Sequence, residues 1–485
     1  MDPDAVTVPD TGIPVAYRDL AKFFDDFVDE ADHWESRTAP YHALLSSIYT
    51  SLIPPDARVL EIGCGRGDLL AALAPSRGVG VDVSARMVDA ASDRHPELEF
   101  VCAAGESLAL GETFDYIVLS DLVPYAHDLQ ALMGAVSAHS DQRTRVIANT
   151  YSNLWRAPLW ALRVAGLRPT KPVRNWVAPR DLENVFELGG FEVLARRTEI
   201  LLPMRPGSVS GAVNGVLARL PLLRMLALAN FFIARPLPRS RPDHGVSVIV
   251  PTRNEAGNID AIVERVPEMG TGTEIVFVEG GSTDDTRERI EAAISASPRD
   301  ARLLVQTETG KANAVYEGFA AAKHEALMIL DADLTVAPED LPKFYDALVS
   351  GRGEMVVGSR LVYGMEAGAM RFLNMVGNKF FAWLLSFVLG QYVKDTLCGT
   401  KAMFRDDYLR IARTRSEFEP EDRWGDFDFL LGASLLGMKV LNVPVRYGAR
   451  TYGDTNMPRF STGGQLARLA LAGFRRIWIR PVDRD

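Results

Sequence analysis

Twice in this chain a β-branched strand runs into a loop rich in glycine, serine, asparagine or acid and then into a helix. The first is ARVLEIGCGRGDLLAALA at 57–74 and the second HGVSVIVPTRNEAGNIDAIVERVP at 244–267. Each is the opening of an α/β domain, and strand and helix patterns alternate after both. Two domains suit 485 residues, because single cores usually stop growing at about 250–300. In the first half, 78–84, 98–104, 114–121 and 144–151 read as successive strands of a parallel sheet. Residues 201–243, rich in Pro, Leu and Arg, show no strand alternation and read as a connector that ends in the exposed linker ARPLPRSRPDHG. The expected organisation is a first domain over 15–200, the connector 201–243, a second domain over 244–460 and a basic amphipathic C-terminal helix over 461–485.

Composition narrows the class. With 47% apolar and 24% charged residues the chain reads as globular, neither disordered nor polytopic. Cys64, Cys102 and Cys398 lie far apart with no CxxC pair, which argues against a disulfide framework and a structural zinc site and suits a reducing cytoplasm. The start, MDPDAVTVPDTGIP, lacks the basic and apolar regions of a signal peptide, so a cytoplasmic chain is expected. A formal charge of −10 disfavours a general nucleic-acid binder. The C-terminus departs from this, with Arg459, Arg468, Arg475, Arg476 and Arg480.

EIGCGRG places Gly63, Gly65 and Gly67 in a strand-to-helix turn, where missing Cβ atoms let backbone approach a ligand. The next strand ends in Asp82, a carboxylate able to accept two hydrogen bonds from a ribose diol. VLEIGCGRG with GVDVS resembles the class I S-adenosylmethionine-dependent methyltransferases, over roughly residues 40–200. The resemblance implies a Rossmann-like domain with S-adenosylmethionine as cofactor, Glu61, Gly63 and Gly65 at its methionine end and Asp82 at its ribose, with Gly67 and Glu106 completing the cofactor set. Many relatives have Asp-Ala-Glu where this chain has Ala104, Gly105 and Glu106. LSDLVPYAHD stands where an Asn-Pro-Pro-Tyr-type motif would mark methylation of a nucleobase or a glutamine amide. Asp121, Tyr125 and His127 read either as acceptor-facing groups or as strand and loop supports.

In the second half, LMILDADLTV delivers Asp331 and Asp333 to the end of an apolar strand, where alternation would project both to one side. Two uncompensated carboxylates there repel and resist desolvation. Mg²⁺ or Mn²⁺ would resolve the conflict, binding the carboxylates and the phosphate oxygens of a diphosphate substrate. The surrounding segments, VSVIVPTRNEAGNI, EIVFVEGGSTDDT, GKANAVYEGFAAA and VVGSRL, come in an order that resembles family 2, GT-A fold glycosyltransferases over about 245–460. DADL and the downstream helix resemble the polyprenyl-phosphate (dolichyl-phosphate) mannosyl- and glucosyltransferase branch. By this resemblance Pro251, Thr252, Asn254, Glu255 and Glu279 wrap the nucleotide of a UDP- or GDP-hexose, Lys311 meets the diphosphate, and Asp331 and Asp333 hold the metal. Gly280 stands where relatives carry a second acid. Arg360 and Arg371 are candidates for the leaving diphosphate or an anionic acceptor, and Lys401 and Arg405 for the acceptor phosphate. Asp395 matches an aspartate near the reacting centre.

The acceptor stays open between two chemistries. A hydroxyl of a soluble metabolite or glycan needs a general base, for which WGDFDFLLG offers Asp426 and Asp428. A phosphate monoester, with its second pKa near ~6, arrives as a dianion and needs cations and a place for its lipid tail. Residues 378–390 put Phe380, Trp383, Leu384, Phe387 and Val388 on one helical face, opposite Asn378, Lys379 and Ser386. Residues 466–478 set Leu466, Leu469, Phe474 and Ile477 against Arg468 and Arg475, and 208–234 is a third such candidate. Helices of this kind lie in a membrane interface and are too short to span it. Relatives of the lipid branch often carry a Ser-Lys pair where Thr455 and Asn456 stand. The reading is a bifunctional enzyme, peripheral on the cytoplasmic membrane face. It joins a methyltransferase to an inverting, metal-dependent hexosyltransferase acting on polyprenyl phosphate. The alternative makes the first domain a cofactor-binding or structural module and the acceptor a hydroxyl.

Overall fold

A computed structural model of the chain describes residues 14–167, 172, 175, 177–203, 209, 213–214, 217–219, 223–237, 240–361, 372–415, 426–448, 450, 452 and 459–479. The chain divides into two units, the first ending at Leu237 and the second covering Pro238–Trp478.

The first unit carries β1 (Arg58–Ile62), β2 (Arg77–Asp82), β3 (Glu99–Cys102), β4 (Phe114–Leu119), β5 (Ser140–Tyr151), β6 (Phe191–Glu199) and β7 (Ala229–Pro236). Its helices are α1 (Arg18–Leu52), α2 (Asp68–Ala72), α3 (Ala85–Arg94), α4 (Leu129–Ala138), α5 (Arg156–Val164) and α6 (Pro179–Leu188). The sheet runs β3-β2-β1-β4-β5-β7-β6, with β7 antiparallel to both neighbours and β1 to β5 parallel. Alternation divides the strands between two cores, one holding Leu60, Ile62, Ile117 and Leu119, the other Val59, Val118, Ile147 and Tyr49. Helices cover both faces of such a sheet, which is why its strands read as near-continuous apolar runs. α1 is fastened to the start of α3: Ser84 Oγ donates to Asp25 Oδ1 at 2.6 Å, and the Arg86 fork meets both oxygens of Asp29 at 3.0 and 2.6 Å.

β7 corrects the expected boundary. Residues 229–236 were assigned to the connector, yet they form a strand buried at seven of its eight positions. ANFFIARP has no alternation because both of its faces are covered, and periodicity does not register a strand of that kind. The first unit therefore reaches beyond 200, and residues 229–234 of the third interfacial candidate lie in a sheet; most of 208–222 lies outside the described residues.

The second unit carries β8 (Val246–Thr252), β9 (Thr273–Glu279), β10 (Ala301–Val305), β11 (Ala326–Ile329), β12 (Met355–Ser359), β13 (Lys401–Phe404) and β14 (Val440–Pro444). Its helices are α7 (Ile259–Arg265), α8 (Thr286–Ala296), α9 (Lys311–Ala321), α10 (Leu341–Val349), α11 (Phe372–Leu389), α12 (Arg405–Arg413), α13 (Asp426–Leu435) and α14 (Arg459–Phe474). The order is β10-β9-β8-β11-β13-β12-β14, with β13 antiparallel to β11 and β12 and the other pairs parallel.

The two helices read as interfacial pack differently from the expectation. α14 buries Leu466, Leu469 and Ala470, with Ile477 beyond it, in the core that also takes Leu385, Val388 and Leu389 of α11. It belongs to the second unit and is no separate tail. On α11 two of the three polar residues face the protein, Asn378 buried and Ser386 bonding the Ala382 and Val393 carbonyls, while Lys379 is exposed. Phe380, Trp383 and Phe387 are the exposed ones, joined by Leu471 of α14. Phe387 stacks on Phe474 with centroids 6.2 Å apart. Among the described residues no helix is long and apolar enough to cross a membrane.

Candidate functional site

In the first unit, Gly63 and Gly65 take φ +80° and +54° between β1 and α2, a backbone only glycine adopts without strain. Gly65 N–H donates to Asp82 Oδ2 at 2.9 Å and Ser84 N–H to Asp82 Oδ1 at 3.0 Å, so the carboxylate at the end of β2 holds the turn in shape. Gly63, Gly65 and Asp82 line a cavity of about 720 Å³ with Glu61, Glu106, Asp121 and Tyr125. A Cβ on Gly65 would meet nothing of the chain, so this position is open toward a ligand, whereas one on Gly67 would strike Phe100. Gly67 is a packing glycine and does not line the cavity.

Glu61 is 2% exposed, and its Oε2 has no hydrogen-bond partner among the described residues. Burial, with Asp82 and Asp68 adding repulsion, pushes its carboxyl up to about 8. A buried, half-satisfied acid is costly unless a donor arrives, and an ammonium group reaching the cavity would supply it. Glu106 is already engaged: Tyr17 Oη donates to it, as do the His127 and Asp128 N–H groups at 3.0 and 3.2 Å. It ties the loop after β4 to the start of α1. His127 does not line the cavity.

Asp121, at φ +51° just past β4, is the best-supported polar group at the far side of the cavity. It accepts from Tyr41 Oη at 3.1 and 3.0 Å, Tyr151 Oη at 3.2 Å and Asn149 Nδ2 at 2.6 Å. Burial, and then the Asp121 charge, raise the Tyr41 phenol well above its ordinary value, so it stays a donor. Neither tyrosine nor Asn149 was identified from sequence, because they come from α1 and β5 and meet Asp121 only in the fold.

In the second unit β11 stops at Ile329, and Asp331 to Leu334 form a turn closed by Leu334 N–H to the Asp331 carbonyl at 3.3 Å, with Leu334 at φ +52°. The two carboxylates are thus not set side by side by strand alternation. Lys311 Nζ, at the start of α9, lies 2.5 Å from Asp331 Oδ1. Arg450 Nη2 lies 2.7 Å from Asp333 Oδ2, whose other oxygen accepts from Thr335 Oγ1 at 2.8 Å. Burial alone would raise the Asp331 carboxyl; Lys311, with Lys401 and Arg360 behind it, outweighs burial and holds it below the carboxylate range. The charge conflict expected from sequence is met here by two side-chain cations. The side chains remain 27% and 15% exposed, and an all-oxygen pair of this kind suits Mg²⁺ or Mn²⁺.

The nucleotide-side residues lie at the ends of β8 and β9. Asn254, at φ +56°, accepts from Thr283 N–H at 2.7 Å and donates its own N–H to Ser282 Oγ, lacing the two loops together. Glu279 Oε1 accepts from Ser282 N–H at 2.5 Å, and Thr252 is buried with its hydroxyl on the Val250 carbonyl. Pro251 is half-buried in β8. Glu255 accepts from Asn258 and stands 3.5 Å from Arg450 Nη1; burial pushes it up to about 7 against the pull of that guanidinium.

Arg360, past β12, forms a two-pronged pair with Asp395, Nε to Oδ2 at 2.7 Å and Nη2 to Oδ1 at 2.8 Å, over the Tyr447 ring. Asn378 Nδ2 donates to Asp395 at 2.8 Å, and the Arg360 and Leu397 N–H groups add to it. Asp395 is fully buried and saturated with donors, so it positions Arg360 and is not a free base. Although burial opposes it, the Asp395–Arg360 contact drives the guanidinium above its ordinary value and the carboxyl below its own.

Three expected site residues are already engaged within the fold. Arg405 begins α12 at the opposite end of β13, where its guanidinium caps the Ala322 and His324 carbonyls at 2.6 and 2.8 Å. Asp428 is buried on α13, accepting from Tyr316 Oη at 3.0 Å. Lys401 is buried with Nζ on the Cys398 carbonyl at 2.7 Å, close enough to Asp331 for its charge to act on that carboxylate. Arg371, Thr455 and Asn456 lie outside the described residues, as does the side chain of Asp426.

Comparison with known proteins bears out both halves. Residues 247–411 match glycosyl transferase family 2 and residues 33–196 a methyltransferase domain. Glycosyltransferase AglJ of Haloferax volcanii is 34% identical over 227 residues, 46% of this chain and 69% of that protein. A dolichyl-phosphate hexose transferase of the same organism is 29% identical over 223 residues, 46% of this chain and 91% of its own length. A solved structure described as an S-adenosylmethionine-dependent methyltransferase of Thermotoga maritima covers 44% of this chain and 99% of its own, at 17% identity and a TM-score of 0.35. The chain belongs to glycosyltransferase family 2 and carries a methyltransferase domain ahead of its transferase domain.

Proposed function

We propose that the second unit moves a hexose from UDP- or GDP-hexose to the phosphate of polyprenyl phosphate, with inversion, at the cytoplasmic face of a membrane. The carrying observation is that the carboxylates of the site are already engaged: Asp331 with Lys311, Asp333 with Arg450, Asp395 with Arg360. A hydroxyl acceptor needs a base within reach, whereas a phosphate dianion brings its own nucleophilic oxygen. That oxygen bonds to the anomeric carbon as the bond to the diphosphate breaks and its electron pair leaves with the diphosphate. Asp331 and Asp333 would hold Mg²⁺ or Mn²⁺, which supplies Lewis-acid neutralisation of the leaving diphosphate. Lys311 and Arg450 stand beside those carboxylates as further cations for it, and Arg360, locked by Asp395, presents a fixed fork to phosphate. The family 2 relatives, one a dolichyl-phosphate hexose transferase, support the same acceptor class.

The first unit, in this reading, binds S-adenosylmethionine over Gly63 and Gly65, with Glu61 taking its ammonium group. Asp82 sits at the ribose end. Incubation of labelled nucleotide sugars with polyprenyl phosphate, followed by organic extraction, tests the transferase. Label in the organic phase, lost with a chelator and with Asp333→Asn, is expected. Label held in water while a hydroxyl acceptor is glycosylated would overturn it.

A further inference from the structure

α5 of the first unit buries one side chain of its nine, Leu159. Helices in proteins draw most of their stability from packing, yet this one leaves Trp160 and Val164 58% and 66% exposed, with Leu162 and Leu167 also open to solvent. It is anchored from below, where Trp155 Nε1 donates to the Leu226 carbonyl at 2.7 Å, and at its end, where Arg37 Nη1 of α1 reaches the Gly166 carbonyl at 3.3 Å. The patch is continuous with the cofactor cavity: Leu159, Leu162 and Leu167 line that cavity together with Asp121 and Gly65. Arg156 and Arg163, seven residues apart, fall on the same exposed side as Trp160 and Val164.

We propose that the methyl acceptor is a lipid-linked phosphate: its polar head enters the cavity to Asp121 and its apolar chain leaves over α5. The reading rests on the methyltransferase assignment of the first unit and deepens it. Asp121 takes three side-chain protons, that of Tyr41 shared between its two oxygens, and a carboxylate has about four lone-pair sites, so a hydroxyl of the head group can add a fourth. That hydroxyl oxygen attacks the sulfonium methyl and forms a C–O bond. The C–S bond breaks with its pair passing to sulfur, and the hydroxyl proton passes to Asp121 and on to water. The arginines of α5 match the negative charge of the phosphate, and the apolar residues match the chain. Both units would then work on one class of substrate, the product of the second being chemically fit for the first.

The test uses the full chain and a diazirine-tagged polyprenyl-phosphate hexose, with adducts mapped by peptide mass spectrometry. Adducts within 156–167, increased by S-adenosylmethionine and lost in Trp160→Glu and Val164→Glu, are expected. Adducts confined to the second unit would leave the transferase reading standing and remove this one; adducts on α5 alone would do the reverse. In a second arm, tritiated methyl donor is supplied with ready-made undecaprenyl- or geranyl-phosphate hexose to the Asp333→Asn enzyme. If the chain seats on α5, KM for the long acceptor falls below that for the short one by about ten-fold or more. The two α5 variants erase that difference while calorimetry shows cofactor binding intact. Equal KM values for the two chain lengths, with no α5 adduct, would overturn the proposal.

Discussion

Arg450 joins Asp333 to Glu255: one nitrogen of its guanidinium lies 2.7 Å from Asp333 Oδ2 and the other 3.5 Å from Glu255 Oε1. The turn after β11 and the loop after β8 are thereby held by one cation, where sequence reading expected a metal alone to balance the acids. Arg450→Ala leaves the buried Glu255 and half-buried Asp333 carboxylates without the cation between them. Donor turnover should drop by about 10²-fold or more, because a positioned cation at a developing charge is commonly worth that much. Arg450→Lys should recover only part of it, since a single ammonium cannot span both partners. Steady-state kinetics with Mn²⁺ held saturating checks this; unchanged kcat/KM in Arg450→Ala would remove the residue from the site.

Glu61 gives a pH signature. Its carboxyl, driven by burial from 4.5 to about 8, keeps a proton in the folded chain that the unfolded chain releases above its ordinary value. Stability therefore falls as pH rises from 4.5 toward about 8 and is flat outside that window. Glu61→Gln should melt progressively higher than the parent across the same range. An ammonium group binding beside Glu61 favours its ionised form, so S-adenosylmethionine should release a proton near pH ~7. Calorimetry in two buffers of different ionisation enthalpy reads this directly, and cofactor binding without proton release would contradict the Glu61 pairing.

What the sequence disclosed, and what it withheld, follows from range. The glycine turn with Asp82, and the DADL turn with Lys311 upstream, are local patterns whose chemistry is carried by residue type and spacing, so they were legible. β7 was not, because ANFFIARP is covered on both faces and offers no period. Nor were the partners of Asp121 and Asp395: Tyr41, Asn149 and Asn378 are ordinary residues until the fold brings them across 80, 28 and 17 positions. Arg405 was misplaced for the opposite reason. It lies four residues from Lys401, but an extended strand carries each residue about 3.3 Å along, enough to move it from one end of the strand to the other.

The Asp395–Arg360 pair is buried and bidentate, so removing one partner strands the other. Asp395→Asn should cost about 3–5 kcal/mol of stability, read by denaturant titration of the second unit's transition. Turnover should fall further than stability explains, with KM for the acceptor phosphate rising because Arg360 loses its fixed orientation. Arg360→Lys should lower kcat/KM while sparing most of the fold, as a lysine still neutralises Asp395 but presents no fork. An Asp395→Asn enzyme of unaltered stability and acceptor KM would show that the pair is peripheral.

Phe380, Trp383 and Phe387 form an exposed apolar ridge on α11, with Leu471 beside them on α14 and the exposed Lys379 and Arg468 on the same two helices. Aromatic side chains of this kind sit at the lipid headgroup level, and basic residues nearby draw them to anionic lipid. Trp383→Glu should reduce co-sedimentation with vesicles of phosphatidylcholine and phosphatidylglycerol by about ten-fold, and Arg468→Glu should weaken it in a salt-dependent way. Transfer to a water-soluble short-chain acceptor should be unaffected by Trp383→Glu, because the Trp383 side chain projects into solvent, 66% exposed. A Trp383→Glu enzyme that sediments like the parent, and works as well on vesicle-borne polyprenyl phosphate, would mean that the ridge does not meet the membrane.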